Sequence, residues 1–155
     1  MKRNRTGFTL VESIIVMSLL AVVAAIGAPK LSAALRRRVT SVAADQFVAS
    51  HSLARATAVR YGRIAQLHID PAARRFWIDV DTSADAVGER ATIWYARDIS
   101  DAGLTMTSNR TMLCFDAGGL ASTAGSCQPG DAQVIFAESD KADTVNTTAL
   151  GKVIR

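Results

Sequence analysis

The chain opens with Lys2-Arg3-Asn4-Arg5-Thr6-Gly7-Phe8-Thr9-Leu10-Val11-Glu12, and this stretch decides its fold. Three basic residues precede Gly7, and an apolar run follows from Phe8 to Pro29, in which Glu12 is the only charged residue. As a helix the run would be roughly 33 Å long at about 1.5 Å per residue. A bilayer's hydrocarbon core is about 30 Å thick, so the sequence predicts a membrane-spanning helix. The positive-inside rule places its basic end in the cytoplasm.

The basic leader, the junction at residues 7–12 and the apolar helix together resemble the precursor signature of type IV pilins and type II secretion pseudopilins. The resemblance implies that a prepilin peptidase cleaves between Gly7 and Phe8, and that the new N-terminal Phe8 is N-methylated. It also implies that Glu12 pairs with the new α-amine of a neighbouring subunit. An ammonium and a carboxylate in a low dielectric offset each other's desolvation when their geometry is good. Glu12 is therefore predicted to guide assembly into a helical filament.

Two other interpretations of the N-terminus stay open. One is an ordinary secretory signal peptide, with cleavage after Ala25-Ile26-Gly27. The other is a plain membrane anchor without cleavage, since spans of this length are usually anchors. The acid inside the apolar run and the continuation into a longer helix argue against the signal peptide.

At 155 residues the chain suits one domain plus an anchor. We expect a leader at residues 1–7, a membrane and assembly half of the helix at 8–29, an amphipathic half at 30–62 and a β-rich periplasmic head at 63–155. Pro29 should loosen the helix without ending it, and Gly62 is the expected stop. The predicted packing face of the amphipathic half consists of Leu31, Leu35, Val39, Val42, Phe47, Leu53 and Val59.

Beyond Arg63 the apolar period changes from near 3.6 to two, which indicates strands. The predicted strands cover residues 64–69, 75–81, 92–97, 104–107, 111–115 and 133–137, with a strand pair or a broken strand at 144–155. Turn signals separate them without helical patterns between, so the fold class is α+β. A long N-terminal hydrophobic helix packs on an antiparallel β-sheet head, as in pilins.

The head also resembles the GspH/FimT family of minor pseudopilins and minor pilins. The matching segments are Cys114-Phe115-Asp116-Ala117-Gly118-Gly119 and Gly151-Lys152-Val153-Ile154-Arg155. The resemblance implies a non-enzymatic structural subunit of a type IV pilus or a type II secretion pseudopilus. Its partners would be other pilins or pseudopilins, the prepilin peptidase and the inner-membrane assembly platform. It would reside in the bacterial inner membrane, with the head in the periplasm, before entering a filament.

The two cysteines, Cys114 and Cys127, fall in the predicted extracytoplasmic head, where disulfides can form. They flank a Gly-rich loop, and closing it would contribute about 3 kcal/mol on the chain-entropy model. Free thiols are the alternative. Two cysteines without a nearby histidine make a poor zinc site.

The charge pattern bears on nucleic acid as a partner. The net charge is +4, but residues 30–63 hold seven basic residues against Asp45, whereas residues 64–155 hold eight basic and twelve acidic residues. Some FimT-like minor pilins are linked with DNA uptake through a C-terminal Gly-Arg-x-Arg motif. Lys152 and Arg155 are the possible DNA contacts here, although the spacing differs and the acidic head opposes phosphate attraction. DNA binding is therefore the alternative function.

The sequence shows no arrangement of residues that suggests catalysis, a metal or a cofactor. His51 and His68 have no catalytic companion and are predicted to be structural, either satisfied or exposed. Asp79 and Asp81 project from one face of a strand, but calcium takes six to eight oxygens. We expect a protein that is not an enzyme.

Overall fold

The computed structural model describes residues 9–82, 90–124, 127, 131–139 and 141–155. One long helix, α1, covers Leu10–Tyr61. A 3₁₀ turn at Ser100–Ala102 and eight strands make up the remaining regular structure of these residues. The strands are β1 (Ala65–Asp70), β2 (Arg75–Asp81), β3 (Arg90–Asp98), β4 (Thr105–Ser108), β5 (Met112–Phe115), β6 (Ala132–Glu138), β7 (Lys141–Thr147) and β8 (Val153–Ile154).

Local chemistry fixes both ends of α1. The Thr9 hydroxyl accepts a hydrogen bond from the backbone N–H of Glu12 at 3.2 Å, as an N-cap does. At the other end Gly62 has a φ of 62°, and the N–H of Arg63 donates to the carbonyl of Ala58. This left-handed C-terminal turn is the one that glycine favours. The helix continues through Pro29, and the stop predicted at Gly62 is confirmed.

The chain divides into two compact units, Met1–Arg36 and Arg37–Arg155. Among the described residues of the second unit, every strand pair is antiparallel, and the strands form two four-stranded sheets. Sheet A has the order β3-β2-β1-β5, and sheet B has the order β4-β6-β7-β8. The prediction of an α+β fold with an antiparallel head is confirmed. The division into two sheets and the 3₁₀ turn were not predicted.

The helix face that packs on the sheets consists mostly of small residues. Its buried members are Thr40, Ala43, Ala44, Phe47, Ser50, His51, Ala54, Thr57 and Ala58. Phe47 joins both sheets, because its ring centroid lies 5.5 Å from that of Phe76 in β2 and 6.0 Å from that of Phe136 in β6. Small side chains let the helix backbone approach closely, and large side chains from the strands fill the space between them.

The predicted packing face of the helix is therefore wrong in part. Phe47 is fully buried, and Val39 and Leu53 pack against the core. However, Val42 and Val59 are 43% and 55% exposed, and Leu31 and Leu35 are also exposed. Hydropathy alone selects the large apolar residues, whereas close helix–sheet packing selects the alanines at the same spacing.

Candidate functional site

The predicted processing site, Gly7 and Phe8, lies outside the described residues, which begin at Thr9. Glu12 is in the first turn of α1 and is exposed. A carboxylate there interacts favourably with the positive end of the helix dipole. Among the described residues we find no ion-pair partner for Glu12. Its carboxylate is thus presented to whatever surrounds the helix.

The first part of α1 is apolar on every side. Its most apolar 18-residue window has a mean hydropathy of 2.4, and none of that window is buried. Exposed side chains include Leu10, Ile14, Leu20 and Ile26, at 76%, 58%, 62% and 60%. A helix that is hydrophobic all round is typical of a membrane span or of one buried in an assembly. By length and composition, this one can cross a bilayer.

In the head, Cys114 and Cys127 form a disulfide, with their Cα atoms 5.8 Å apart. The predicted bridge is therefore present. The loop begins with a turn built on Asp116, whose carboxylate Oδ1 accepts the N–H groups of Gly118 and Leu120, both at 2.9 Å. The N–H of Gly119 donates to the Asp116 carbonyl at 2.8 Å. An aspartate side chain that accepts hydrogen bonds from the backbone N–H groups just after it forms an Asx turn, which accounts for Asp116 followed by Gly118 and Gly119 in this segment.

Arg55 holds the two predicted family segments against the helix. Its Nε donates to the carbonyl of Gly119 at 2.7 Å, and its Nη1 donates to the carbonyl of Gly151 at 3.5 Å. A Cβ on Gly119 would lie 3.1 Å from Val59 Cγ2, and Gly119 has a φ of +75°. Gly151 is buried, with a φ of +78°. Close approach and backbone conformation therefore both favour glycine at position 119, whereas at position 151 the backbone conformation alone does, since a Cβ there would make ordinary contacts at 3.5 Å.

Arg155 makes a second clamp at the C-terminus. Its guanidinium pairs with Asp45 of α1 and with Asp143 of β7, and it donates to the Ser41 hydroxyl at 2.7 Å. These carboxylates raise the pKa of Arg155, with the Asp143 hydrogen bond as the largest cause. Lys152 is exposed. A guanidinium already bound by two carboxylates is poorly disposed to bind phosphate, which speaks against the DNA-binding alternative.

His51 is buried in the core and is 1% exposed. Its ring packs edge-on against Phe115, with centroids 4.9 Å apart, and its Nε2 has no hydrogen-bond partner among the described residues. Burial, with a smaller contribution from the Arg55 charge, lowers the pKa of His51 to about 4. The prediction of a structural histidine holds, but the expectation that it is either satisfied or exposed is wrong, because this nitrogen is buried without a partner.

The second histidine belongs to a polar cluster on the outer face of sheet A. His68 stacks on Trp77, and its Nε2 lies 3.1 Å from Asp79 Oδ2 without hydrogen-bond alignment. Burial lowers the pKa of His68, although Asp79 opposes this. Asp79 also accepts hydrogen bonds from Trp77 and Thr92, at 3.2 and 2.7 Å. Its neighbour Asp81 pairs with Arg63 at 3.1 Å.

These contacts occupy both aspartates, so they do not form an open cation site. Within the described residues, no group of three or more histidine, cysteine, aspartate or glutamate side chains could hold a metal ion. Sequence reasoning missed the Thr9 cap, the Arg55 clamp and the Asp116 turn. Thr9 was detectable, since a threonine three residues before an acidic residue is a capping signal.

Two models of known protein families match this chain. The prokaryotic N-terminal methylation motif matches residues 2–28, and the type II transport protein GspH matches residues 43–151. We found no significant match among curated proteins.

Among solved structures, the chain is similar to the type IV minor pilin FimU of Pseudomonas aeruginosa, at 19% identity and a TM-score of 0.57. The alignment covers 76% of this chain and 88% of FimU. A second crystal form of FimU matches at 16% identity and a TM-score of 0.53, covering 74% and 90% of the two chains. The minor pseudopilin EpsH of the Vibrio cholerae type 2 secretion system matches at 15% identity and a TM-score of 0.49, covering 74% and 94%. At these identities the FimU likeness is one of fold.

Proposed function

The chain belongs to the family of the type II transport protein GspH, and from that premise we propose that it matures by cleavage after Gly7 and assembles through the first part of α1. It is a minor pilin or pseudopilin, a structural subunit that assembles with other pilins in a filament. Its apolar N-terminal helix anchors it in the membrane before assembly. The observation that carries the proposal is the exposed, all-apolar helix with one carboxylate, Glu12, in its first turn.

Cleavage would give Phe8 a free α-amine four residues before Glu12. The amine and the carboxylate of neighbouring subunits would then neutralise each other in apolar surroundings, where an unpaired charge costs several kcal/mol (about 3 on insertion scales). Small residues at Ala21, Ala24, Ala25, Gly27 and Ala28 would let helices approach closely. Lys2, Arg3 and Arg5 would keep the leader in the cytoplasm and so direct the head to the periplasm.

Mass spectrometry of the protein purified from its native host tests the maturation step. We expect an N-methylated Phe8 at the N-terminus, and we expect Gly7→Ala to accumulate as an uncleaved precursor. Gly27→Ala is the matched control, since a Cβ there meets no atom within 4 Å and the variant should be processed normally. An N-terminus at Ala28 would indicate a secreted soluble protein, and one at Met1 or Lys2 would refute cleavage.

Filament incorporation tests the role of Glu12. We expect Glu12→Gln to be processed but to enter filaments less well, because the amine of its neighbour is then left uncompensated. Ser13→Ala, one residue further along the exposed helix, serves as the control and should assemble like the wild type. Equal incorporation of Glu12→Gln and Ser13→Ala would contradict the charge-pairing role.

The system that contains the subunit is either a type IV pilus or a type II secretion pseudopilus. Both share the leader and the fold. Deletion in the native host separates them, because loss of twitching motility indicates a pilus and loss of protein secretion indicates a pseudopilus.

A further inference from the structure

A basic segment of α1 follows its apolar part. Its members, the basic cluster, are Lys30, Arg36, Arg37 and Arg38. No acidic residue lies between Glu12 and Asp45, so nothing on this stretch of the sequence offsets the four positive charges. Arg38 is exposed, and it has no ion pair among the described residues. Asp45, the first acid beyond the cluster, already pairs with Arg155. The cluster is therefore a concentration of positive charge that the adjoining helix does not neutralise.

The cluster begins where the apolar run ends. That run reaches Pro29, and α1 continues through it without a break. When the run spans a hydrocarbon core of about 30 Å, Lys30 stands at the boundary with the headgroups. Positions 36–38 lie about 9–12 Å further along the helix axis. The headgroup layer on one side is about 5–8 Å thick, so these positions lie within a few ångströms of it. That gap is shorter than the Debye length of about 8 Å at physiological ionic strength, so all four charges act on the headgroups.

The arrangement of the cluster around the helix favours a lipid surface over a protein partner. Consecutive residues of an α-helix are rotated by about 100° about its axis, so three consecutive arginines cover about 200° of the circumference. A protein docked on one side of α1 would contact only part of that arc. Headgroups surround a membrane-spanning helix on every side, so each of these positions faces a phosphate. Leu31 and Leu35, which are 62% and 54% exposed, add apolar side chains of the kind that enter the membrane interface.

We propose that the basic cluster binds the phosphate groups of anionic phospholipids, in the leaflet on the side of the head. The inference rests on the proposed function in one respect, that α1 anchors the chain in a membrane before assembly. An anionic membrane surface attracts basic residues next to a membrane-spanning helix, by about fivefold in the binding constant for each residue close to the surface. A guanidinium also donates two parallel hydrogen bonds to phosphate oxygens. The contact holds residues 30–38 at the membrane surface until the subunit leaves the bilayer for the filament.

Local lipid enrichment around the full chain tests the proposal. Ala34 is exposed within the cluster, and Cys114 and Cys127 are joined in a disulfide, so Ala34→Cys takes a single fluorophore beside the basic residues. The labelled chain is reconstituted in vesicles of equal parts phosphatidylcholine and phosphatidylglycerol. A trace of either lipid carries a nitroxide near the top of its acyl chain, which quenches the fluorophore only at short range. We expect phosphatidylglycerol to quench as if it were about fivefold more concentrated around the label than phosphatidylcholine.

Three variants show which charges cause the enrichment. Arg36→Gln, Arg37→Gln and Arg38→Gln together should remove most of it, while the helix is preserved because glutamine and arginine have similar helix propensities. The same three positions changed to lysine should retain the enrichment, since lysine keeps the charge. The matched control is the triple glutamine variant of three exposed basic residues outside the cluster, Arg60, Arg90 and Lys152. This control should be quenched like the wild type.

Higher salt gives a second readout. Raising the ionic strength from about 0.1 M to about 1 M shortens the Debye length from about 10 Å to about 3 Å, so most of the enrichment should disappear. Equal quenching by the two lipids in the wild type would overturn the proposal, and so would an equal loss in the cluster variant and the control. If the cluster glutamine variant enters filaments poorly but keeps the lipid enrichment, the cluster binds another protein subunit and the proposal is wrong.

Vesicle flotation separates this inference from the anchoring on which it rests. In vesicles of phosphatidylcholine alone, both the wild type and the cluster glutamine variant should float, because the apolar helix anchors them without help from charge. A chain that does not float would refute the anchoring and the inference together. A chain that floats but shows no enrichment of phosphatidylglycerol would refute the inference alone.

Discussion

Replacement of His51 by leucine should remove most of the acid sensitivity of the head. His51 belongs to the second compact unit, outside the apolar segment, and is 1% exposed. Its pKa is lowered from 6.5 to about 4, chiefly by burial. Because the folded-state pKa is the lower one, the unfolded chain takes up a proton first as the pH falls. Stability is therefore fully present above about pH 6.5 and is lost progressively as the pH falls towards about 4.

The magnitude follows from linkage. Between about pH 7.5 and about pH 5, a histidine with these two pKa values costs about 2 kcal/mol of unfolding free energy. The pKa of Asp98 is also lowered from its value of 3.8, by its hydrogen bonds with Ser100, but this carboxylate titrates below the window. In His51→Leu, most of this dependence of the unfolding free energy on pH should be absent. The variant should also be at least as stable at neutral pH, since the unpaired buried Nε2 disappears.

Urea unfolding of the full chain in detergent micelles, followed by circular dichroism at both pH values, measures the effect. His68→Gln is the matched control, because His68 is partly exposed at 25% and stacks on the outer face of sheet A. The unfolding free energy of His68→Gln should therefore depend on pH almost as strongly as that of the wild type. If His51→Leu still loses about 2 kcal/mol of unfolding free energy between the two pH values, as the wild type does, the buried imidazole is not the source of the acid sensitivity.

Three further predictions concern the contacts of the head. The double variant Cys114→Ser with Cys127→Ser should lower the unfolding free energy by about 3 kcal/mol, because the opened loop adds entropy to the unfolded chain. Urea unfolding of the wild type with reductant should show the same loss. An unchanged urea midpoint of the double variant would contradict the prediction. Arg155→Ala should lower the unfolding free energy by about 1 kcal/mol, because Asp45 and Asp143 lose their shared partner. Lys152→Ala, at an exposed residue, should leave the unfolding free energy almost unchanged, and thermal unfolding of the two variants compares the effects. Gly119→Ala should lower the unfolding free energy by about 1 kcal/mol more than Gly103→Ala. Both glycines have a positive φ, but only a Cβ at position 119 would contact Val59. Equal losses would mean that the backbone conformation alone causes the effect and that the contact with Val59 contributes nothing.

Much of the secondary structure was predictable because its signals are local. Strand β2 occupies the predicted residues 75–81, and the helix stop at Gly62 follows from a glycine in a left-handed conformation. The predicted disulfide also forms. These features depend on residue type and short spacing, which a sequence displays directly.

The errors have a common cause in long-range packing. Val59 was assigned to the packing face but is 55% exposed, while Ala54 and Ala58 are fully buried. The depth to which a helix settles on a sheet depends on side chains from distant strands, such as Phe76 and Phe136. Local hydropathy contains no information about those partners.

The sequence by itself determined the long apolar helix, the N-terminal methylation motif at residues 2–28 and most of the strand segments along the chain, because each is encoded in contiguous residues. Only the tertiary structure decided that Arg155 pairs with Asp45, 110 positions away, that Arg55 joins two glycine segments, and that β3 ends a sheet. Charge pairing and strand order depend on which distant groups come within a few ångströms. That proximity is set by the packing of the whole head, not by any local pattern.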